Sequence, residues 1–331
     1  MATILSADVG GTKTQLQLSH LSDGIIQTLR TEKFSSQEYP SFTHMLTEFL
    51  TDKVTIDSAC FAVAGPVKHD ENYSEANITN LPWIINSSNL ESQLEIKSVA
   101  LINDFEAIGY AIEHLPPDDF VTLQEGQKSQ NTVKAIIGAG TGLGQAIMVH
   151  NGQDYDVLCT EGGHVDLAAN SEIEMALLQQ LKTQYSHVSY ERVLSGQGLI
   201  NIFEFLLDKN RVRNNIDNQN ILHAQDIAAE ISITAEQKSN SVACQAMSLF
   251  MKIYGAQAGN LALTCLANGG VYIAGGIAAK NLSAFDDNGF ITAFNEKGRM
   301  QTLTQNMPVR IIKNQSCGLI GATHFAYRKL I

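Results

Sequence analysis

The sequence predicts an α/β protein in which one sheet-building unit is duplicated, and three observations support this prediction. Residues 135–148 (AIIGAGTGLGQAIM) form an apolar run, a glycine-rich turn and a second apolar run. Residues 4–18 (ILSADVGGTKTQLQL) repeat this pattern, with Gly11-Thr12 in the place of Gly140-Thr141. A third apolar run, in IAGGI at residues 273–277, also ends in two glycines. Unrelated hairpins would explain either stretch alone, but the three together favour a duplication.

The two glycine turns indicate a site for phosphate groups. A turn of glycines bends sharply and brings backbone N–H groups against an anionic ligand. The segment after each turn is short and β-rich, which predicts strand–turn–strand. The dinucleotide fingerprint and the Walker loop have other glycine spacings, and neither occurs here. Two such hairpins and a later glycine-terminated strand resemble the nucleotide-binding fold shared by actin, hexokinases and chaperone ATPases, with its two phosphate segments and its adenosine segment in that order.

Composition and charge exclude several functional classes. The chain has 331 residues, which is enough for two domains. Of these residues, 44% are hydrophobic and 17% are charged. Its formal net charge is −12, with 22 Lys and Arg, so no broad contact with a nucleic-acid backbone is expected. No apolar stretch of about 18 residues suggests a membrane span. The expected partners therefore include neither nucleic acid nor a membrane.

Cysteine usage and the first strand bear on localisation. The five cysteines form no C-x-x-C pair, which predicts free thiols in a reducing compartment and no zinc or disulfide framework. The first predicted strand begins within a few residues of Met1, which leaves no room for a signal peptide or an N-terminal helix-turn-helix. We therefore expect a cytoplasmic protein.

The remaining elements follow from periodicity and turn signals. Apolar residues at 42, 45, 46, 49 and 50 have helical spacing, whereas the run ACFAVA ends in Gly65-Pro66 like a buried strand. Further strands are predicted at residues 25–33, 59–64, 99–102, 155–159, 271–274 and 308–313. Helices are predicted at residues 41–50, 105–113, 171–184, 196–207, 239–267 and 318–329.

Three segments are expected to be irregular, and two helices carry capping signals. Residues 67–88 should be polar and irregular, 120–132 a polar linker and 209–219 a mobile Asn-rich loop. Ser88 or Asn89 is expected to cap the short helix that follows. Asn170 or Ser171, with Glu174, is expected to cap the predicted helix at residues 171–184. A domain boundary is expected at residues 114–119, which contain two prolines.

Two polar clusters carry the candidate chemistry. Asn103-Asp104 joins a strand to a helix, where open α/β sheets bind ligands. Asp104 fits a helix N-cap slightly better than a catalytic role, unless Asn103 is the cap instead. Glu161 and His164 flank two glycines, and Glu191 precedes another glycine pair. Carboxylates and a histidine suit the hydroxyls of a polyol, and the residue spacing makes a metal site the weaker alternative. For His164 alone, a structural role is equally compatible with the sequence.

Seven motifs resemble those of bacterial glucokinases within the hexokinase family, in the branch without a cysteine zinc motif. The resemblance spans residues 4–329. In chain order the motifs are DVGGTKT, AGPV, LINDF, GAGTGLG, EGGHVDL, ERVLSGQG and IAGGI.

This resemblance implies roles for individual residues. It implies that Asp104 is the catalytic base and that Asp8 orients a hydrated Mg²⁺. Glucose contacts are implied at Asn103, Asp104, Glu161, His164 and Glu191. ATP contacts are implied at Ala7, Asp8, Val9, Gly10, Gly11, Thr12, Gly140, Thr141, Gly275 and Gly276.

The resemblance also implies a duplicated actin/hexokinase-like, ribonuclease H-like fold of two domains with an interdomain cleft. The small domain would comprise residues 1–114 and 315–331, and the large domain residues 115–314. A homodimer is implied. The implied activity is transfer of the γ-phosphoryl of ATP to the 6-hydroxyl of glucose.

Some alternatives remain open from the sequence. Mannose or an N-acetyl hexose is the nearest alternative substrate, and polyphosphate an alternative donor. An actin-like ATPase or a sugar-responsive regulator is a more distant alternative, because the chain lacks a partner-binding subdomain and a DNA-binding segment. The chain has Ala7, Lys13 and Gln197 where this family often has glycine, asparagine and proline. Of these, Gln197 lies near Glu191 and bears on the sugar preference.

Overall fold

The protein is described by a computed structural model that covers residues 2–50, 54–78, 80–127 and 129–330. The strands are β1 (Ala2–Val9), β2 (Lys13–Ser22), β3 (Ile25–Ser35), β4 (Ser58–Val63), β5 (Val67–His69), β6 (Ser74–Asn77), β7 (Ile84–Asn86), β8 (Val99–Asn103), β9 (Phe120–Gln124), β10 (Lys134–Ala139), β11 (Leu143–His150), β12 (Tyr155–Thr160), β13 (Val271–Ala274) and β14 (Val309–Ile312).

The α-helices alternate with these strands along the chain. They are α1 (Phe42–Phe49), α2 (Ser87–Leu94), α3 (Asp104–Ile112), α4 (Glu172–Leu181), α5 (Gly196–Asn210), α6 (Ile216–Leu222), α7 (Ile227–Gln237), α8 (Val242–Cys265), α9 (Gly276–Lys280), α10 (Gly289–Asn295), α11 (Gln301–Gln305) and α12 (Cys317–Arg328). No helix in the described part of the chain is both long and apolar enough to cross a membrane.

The first of two structural units comprises Met1–Pro117 and Ser316–Ile331. Its sheet has the order β3-β2-β1-β4-β8, with antiparallel pairing up to β1 and parallel pairing beyond it. Helices α3 and α12 pack on one face, where Ala107 and Ala322 are buried. A Cβ at Gly321 would overlap the carbonyl oxygen of Ala107, so glycine permits this close packing.

The second unit, Asp118–Gln315, repeats the same topology. Its sheet has the order β12-β11-β10-β13-β14-β9, and the first five strands match the first sheet in order and direction. The additional strand β9 pairs antiparallel with β14. The long helix α8 packs against α5, α7, α10 and β10. The predicted duplication is confirmed.

Most predicted elements are confirmed to within a few residues, including both glycine-turn hairpins. The predicted capping of α4 is confirmed in a shared form. The side chain of Ser171 accepts a hydrogen bond from the Glu174 N–H, and the Glu174 carboxylate accepts one from the Asn170 N–H at 2.7 Å. Ser171 is therefore the cap of α4, and Glu174 supports it from the third helical position.

Residues 67–88 are not irregular, and this prediction was wrong. They contain the antiparallel sheet β5-β6-β7, although Thr79 lies outside the described residues. Alternate positions such as Ala76 and Ile85 are buried. The strands are so short and polar that this alternation is not recognisable in the sequence. Helix α2 is capped by Asn86, not by Ser88 or Asn89, because the Asn86 side chain accepts from the Asn89 N–H at 3.2 Å.

Two other expected loops contain regular structure. The predicted linker at 120–132 begins with strand β9, while Lys128 lies outside the described residues. In the segment 209–219, α5 continues to Asn210 and α6 begins at Ile216. Its asparagines serve the backbone: Asn215 caps α6, and Asn218 donates to the Val212 carbonyl at 3.0 Å. This segment is thus stabilised by hydrogen bonds from side chains to the backbone. It has no apolar periodicity, and the prediction of a loop relied on that absence.

Tyr254 of α8 secures the end of the central strand β10. Its buried hydroxyl accepts from the Ala139 N–H at 3.1 Å and donates to the Ile137 carbonyl at 3.2 Å. We expect Tyr254→Phe to lower the free energy of unfolding by about 1–3 kcal/mol, because it leaves buried backbone groups without a partner. Urea unfolding followed by circular dichroism measures this loss. The exposed Tyr73 gives a matched control, and equal stabilities of Tyr254→Phe and Tyr73→Phe would contradict this role.

Candidate active-site residues

Asp8 and Asp104 lie at the same edge of the first sheet. Asp8 is near the end of β1, and Asp104 directly follows β8, which runs parallel to β1 through β4. In the register of these strands, Asp8 pairs with Ala62 and Asn103 with Val63, so both carboxyl-terminal ends finish at one level. This is the edge at which open α/β sheets bind ligands.

The helix cap at this edge is Asn103 and not Asp104. The Asn103 side chain accepts from the Phe105 N–H at 2.9 Å, and Glu106 completes the capping box. Asn103 also donates to the Gly65 carbonyl at 3.0 Å, so the Gly65-Pro66 turn lies at this edge as well. Asp104 is the first residue of α3, where one carboxylate oxygen accepts from the Phe105 N–H at 3.0 Å. The second oxygen of Asp104 is therefore not needed for capping.

Burial raises the pKa of both carboxyls. It raises the pKa of Asp8 to about 6, and burial together with the charge of Asp8 raises the pKa of Asp104 to about 6. Helix α12 begins beside this pair, because a Cβ on Gly318 would come within 3.0 Å of an Asp8 oxygen. A carboxyl group with such a pKa is suited to accept a proton near neutral pH.

The first glycine turn is fastened by a residue that the sequence analysis missed. The Ser36 hydroxyl donates to the Gly10 carbonyl at 2.7 Å, and the Ser36 N–H donates to the Thr12 carbonyl at 2.9 Å. Ser36 follows a predicted strand without any motif, so the sequence carried no signal for it. Ala7 and Val9 have buried side chains, so only their backbone is available to a ligand.

The second glycine turn joins β10 to β11. The Gly140 N–H donates to the Gly142 carbonyl at 2.8 Å, and the Gly140 carbonyl accepts from the Gly196 N–H at 2.8 Å. Thr141 is exposed at the tip. Gly275, at the end of β13, has φ of +85°, and a Cβ there would lie 2.5 Å from the Ala139 carbonyl oxygen. Only glycine suits this position, which places Gly275 and Gly276 beside the hairpin.

A cavity of about 740 Å³ opens beside this turn, within the second unit. Gly140, Thr141 and Gly276, three of the residues at which the resemblance implies ATP contacts, line it. Its other lining residues come mainly from α5, α7 and α9, and the sequence analysis did not identify them: Gly196, Leu199, Asp226, Ala228, Ala229, Ser232, Ile233, Glu236, Ile277, Lys280 and Asn281. The volume is typical of a small-molecule site, and the mixture of apolar and polar groups suits a nucleoside.

Glu161, His164 and Glu191 come together as predicted. His164 Nε2 lies 3.8 Å from a Glu161 oxygen, and His164 Nδ1 lies 3.9 Å from Glu191 Oε1. The side chains of Glu161 and His164 are 79% and 57% exposed, whereas that of Glu191 is 29% exposed. The cluster thus offers a polar ligand two carboxylates that accept hydrogen bonds and one imidazole ring that can donate or accept.

The donor set bears on a metal ion. No group of three or more His, Cys, Asp or Glu side chains that could hold a metal exists in the described residues. The carboxylates of Asp8 and Asp104 are hard oxygen donors whose mutual repulsion a divalent cation relieves. Magnesium keeps several waters and needs few protein ligands, so these residues fit a hydrated Mg²⁺.

Comparisons with known proteins agree on one family. The family model for glucokinase matches residues 5–329. A glucokinase from Nostoc sp. is 41% identical, with 99% of this chain and 100% of the relative covered. The crystal structure of a glucokinase from an Antarctic psychrotroph has a TM-score of 0.85 at 30% identity, with 99% of each chain covered.

A more distant neighbour supports the fold alone. It is the glucokinase of Balamuthia mandrillaris, solved in complex with glucose, with a TM-score of 0.80 at 21% identity over 98% of this chain and 94% of that one. These comparisons confirm the expected actin-like fold of sugar kinases.

The raised pKa of Asp104 predicts a pH-dependent stability. The folded pKa of about 6 exceeds the unfolded value near 3.9, so the folded state binds the proton more tightly. Charging this carboxyl therefore costs stability above pH 6, and the cost disappears as the pH falls towards 4. We expect Asp104→Asn to be more stable than the wild type by about 1–3 kcal/mol at pH 8, with a smaller difference at pH 5.

Urea unfolding in buffer with EDTA and without nucleotide measures this difference. The exposed Asp118 gives a control substitution to Asn, which should change stability at neither pH. An Asp104→Asn variant that is less stable than the wild type at pH 8 would show that the carboxylate stabilises the fold.

Proposed function

Because the chain belongs to the glucokinase family, we propose that it transfers the γ-phosphoryl of ATP to the 6-hydroxyl of D-glucose, giving glucose 6-phosphate and ADP. The match extends over both structural units and nearly the full length of its relatives. The glucokinases of Nostoc sp. and Nostoc punctiforme, at 41% and 40% identity, support the choice of sugar. The chain is accordingly an ATP-dependent hexose kinase of glycolysis.

The single observation that supports the reaction most directly is the environment of Asp104. Phosphoryl transfer requires alignment, neutralisation of charge and a base for the attacking hydroxyl. Asn103 serves as the helix cap, so α3 does not require Asp104 as its cap, and the Asp104 carboxylate is suited to a substrate proton. Its pKa of about 6 leaves it mostly ionised at pH 7 yet basic enough to accept that proton. We assign Asp104 as the general base.

We assign the glucose hydroxyls to Asn103, Asp104, Glu161, His164 and Glu191. The Asn103 side chain donates to the Gly65 carbonyl at 3.0 Å, which fixes its amide at the sheet edge that carries Asp104. The exposed carboxylate of Glu161 and the ring of His164 supply acceptors and a donor. A polar cluster of this kind suits a polyol.

The donor site is assigned to the glycine turns and the cavity. The backbone N–H groups of Gly11, Thr12 and Thr141 suit phosphate oxygens. Gly10 and Gly140 shape the two turns instead, because their N–H groups donate to the Lys13 and Gly142 carbonyls at 3.0 and 2.8 Å. The 740 Å³ cavity beside Gly276 suits a nucleoside, which favours ATP over polyphosphate as the donor.

Asp8 is assigned to a hydrated Mg²⁺, through water. When bound, this ion neutralises the charge of the transferring phosphate. The cytoplasmic location, the homodimer and the domain boundaries at residues 114–115 and 314–315 belong to this proposal as family expectations.

A coupled assay with a panel of hexoses and donors tests the proposed function. Glucose with Mg-ATP should be turned over with the highest kcat/KM among glucose, mannose and N-acetyl hexoses, and polyphosphate should not replace ATP. A preference for another hexose would correct the substrate. Absence of transfer to every sugar, with binding retained, would instead favour a sugar-responsive regulator.

Loss of the Asp104 carboxylate should remove most of the activity. We expect Asp104→Asn to lower kcat for glucose by at least about 10²-fold, the usual contribution of a general base. Calorimetry should show that it still binds glucose, and Asp118→Asn should turn over normally. If Asp104→Asn turned glucose over near the wild-type rate, Asp104 would not be the general base, and its role would be confined to the start of helix α3.

Substitutions in the second unit should affect the two substrates differently. Glu161→Gln should raise the KM for glucose by roughly 10- to 100-fold with little effect on ATP, since it removes a charged acceptor of a hydroxyl. Thr141→Val should raise the KM for ATP and leave glucose binding unchanged, because it alters only the tip of the phosphate turn. Steady-state kinetics with each substrate varied measures both effects, and the opposite pattern would reverse the two assignments.

A further inference from the structure

Glu191 connects the polar cluster to the second glycine turn. Its Oε2 accepts a hydrogen bond from the Leu143 N–H at 2.9 Å, just beyond the Gly140–Gly142 turn. The carboxylate lies so close to this turn that a Cβ on Gly142 would be 2.5 Å from Oε2. Its other oxygen, Oε1, faces His164 at 3.9 Å. One carboxylate therefore has one oxygen on the hairpin backbone and one towards the sugar-assigned side chains.

The segment that carries Glu191 is itself fixed to the hairpin. The Ser195 hydroxyl donates to the Glu191 carbonyl at 2.8 Å and caps α5 by accepting from the Gly198 N–H at 3.0 Å. The next residue, Gly196, donates its N–H to the Gly140 carbonyl at 2.8 Å. The hairpin tip is thus held at Gly140 by a backbone bond and at Leu143 by a side chain.

The backbone of Leu143 meets the polar cluster from its other side as well. A Cβ on Gly163 would overlap the Leu143 carbonyl oxygen, so the turn that carries Glu161 and His164 packs directly on this residue. The Glu161 carboxylate does not share this position, because it is 79% exposed and lies against His164. Within this cluster, Glu191 is the carboxylate that is hydrogen-bonded to the phosphate turn.

We propose that Glu191 is a positioning residue for the phosphate-binding turn, in addition to its sugar contact. The inference rests on the proposed function, in which this turn holds the phosphates of ATP. A hydrogen bond from an N–H to a charged acceptor is strong and directional, so it fixes the orientation of the peptide after the turn. A sugar hydroxyl on Oε1 immobilises the same carboxylate, and this links the affinities for the two substrates reciprocally.

Nucleotide binding without sugar tests the inference. Calorimetry with Mg-AMP-PNP compares Glu191→Ala, Glu191→Gln and Glu161→Ala with the wild type. Glu191→Ala should weaken nucleotide binding by roughly 10-fold or more, the cost of losing a charged acceptor. Glu191→Gln retains an oxygen that can accept from Leu143 and should weaken it less. Glu161→Ala should stay within about twofold of the wild type.

Hydrogen exchange of the Leu143 amide gives a second readout, independent of any ligand. In protein labelled with ¹⁵N-leucine, this amide should exchange slowly in the wild type and in Glu161→Ala, and at least about 10-fold faster in Glu191→Ala. Nucleotide affinity and amide protection that are equal in Glu191→Ala and Glu161→Ala would overturn the inference.

The outcomes separate this inference from the proposed function. If the wild type phosphorylates glucose and the two alanine variants bind nucleotide equally, the positioning role fails while the function stands. If the wild type phosphorylates no sugar but Glu191→Ala alone loses nucleotide affinity and amide protection, the function fails while the positioning role stands.

Discussion

The central strand of each sheet imposes the constraint on which the structure depends. β1 and β10 each pair with an antiparallel strand on one side and a parallel strand on the other, so neither has a free edge. Both are almost fully buried, and most of their residues are β-branched or small. Each must then reverse within a few residues into its hairpin partner, which requires the glycine turn. The candidate phosphate sites are thus the turns that connect each central strand to its antiparallel neighbour.

The same constraint explains how much of the fold the sequence could predict. A strand buried on both faces is a continuous apolar run, and a glycine turn after it is easily recognised, as at Ala135 and Gly140. The small sheet β5-β6-β7 has no such run, because its strands have three or four residues and one exposed face. Helix α6 is capped by the side chain of Asn215, and an asparagine-rich sequence of this kind is more typical of a loop. Local hydrogen bonds between side chain and backbone have no periodic signal.

The candidate site divides in a similar way. Glycines, Asp8, Asp104 and the EGGH turn stand out because their residue types are unusual where they occur. The sequence left the cap open between Asn103 and Asp104 and carried no signal for the hydrogen bonds of Ser36 to the first glycine turn, because both depend on which atoms meet in space. The lining of the 740 Å³ cavity comes largely from α7 and α9, which the sequence analysis had not predicted as helices. For Glu191, the sequence suggested a ligand contact, and only the geometry shows its bond to Leu143.

The last helix has a consequence for how the protein is made on the ribosome. Helix α12 packs against β1, β4 and α3, although nearly 200 residues of the second unit separate it from them in sequence. In the finished fold this helix covers Ile4, Cys60 and Ala62 of the first sheet, so until α12 is synthesised these residues lack the helix that buries them. The second unit is contiguous and is complete before α12 is synthesised. The surroundings of Asp8 are therefore complete only once the segment that carries Gly318 has been synthesised and has packed beside it.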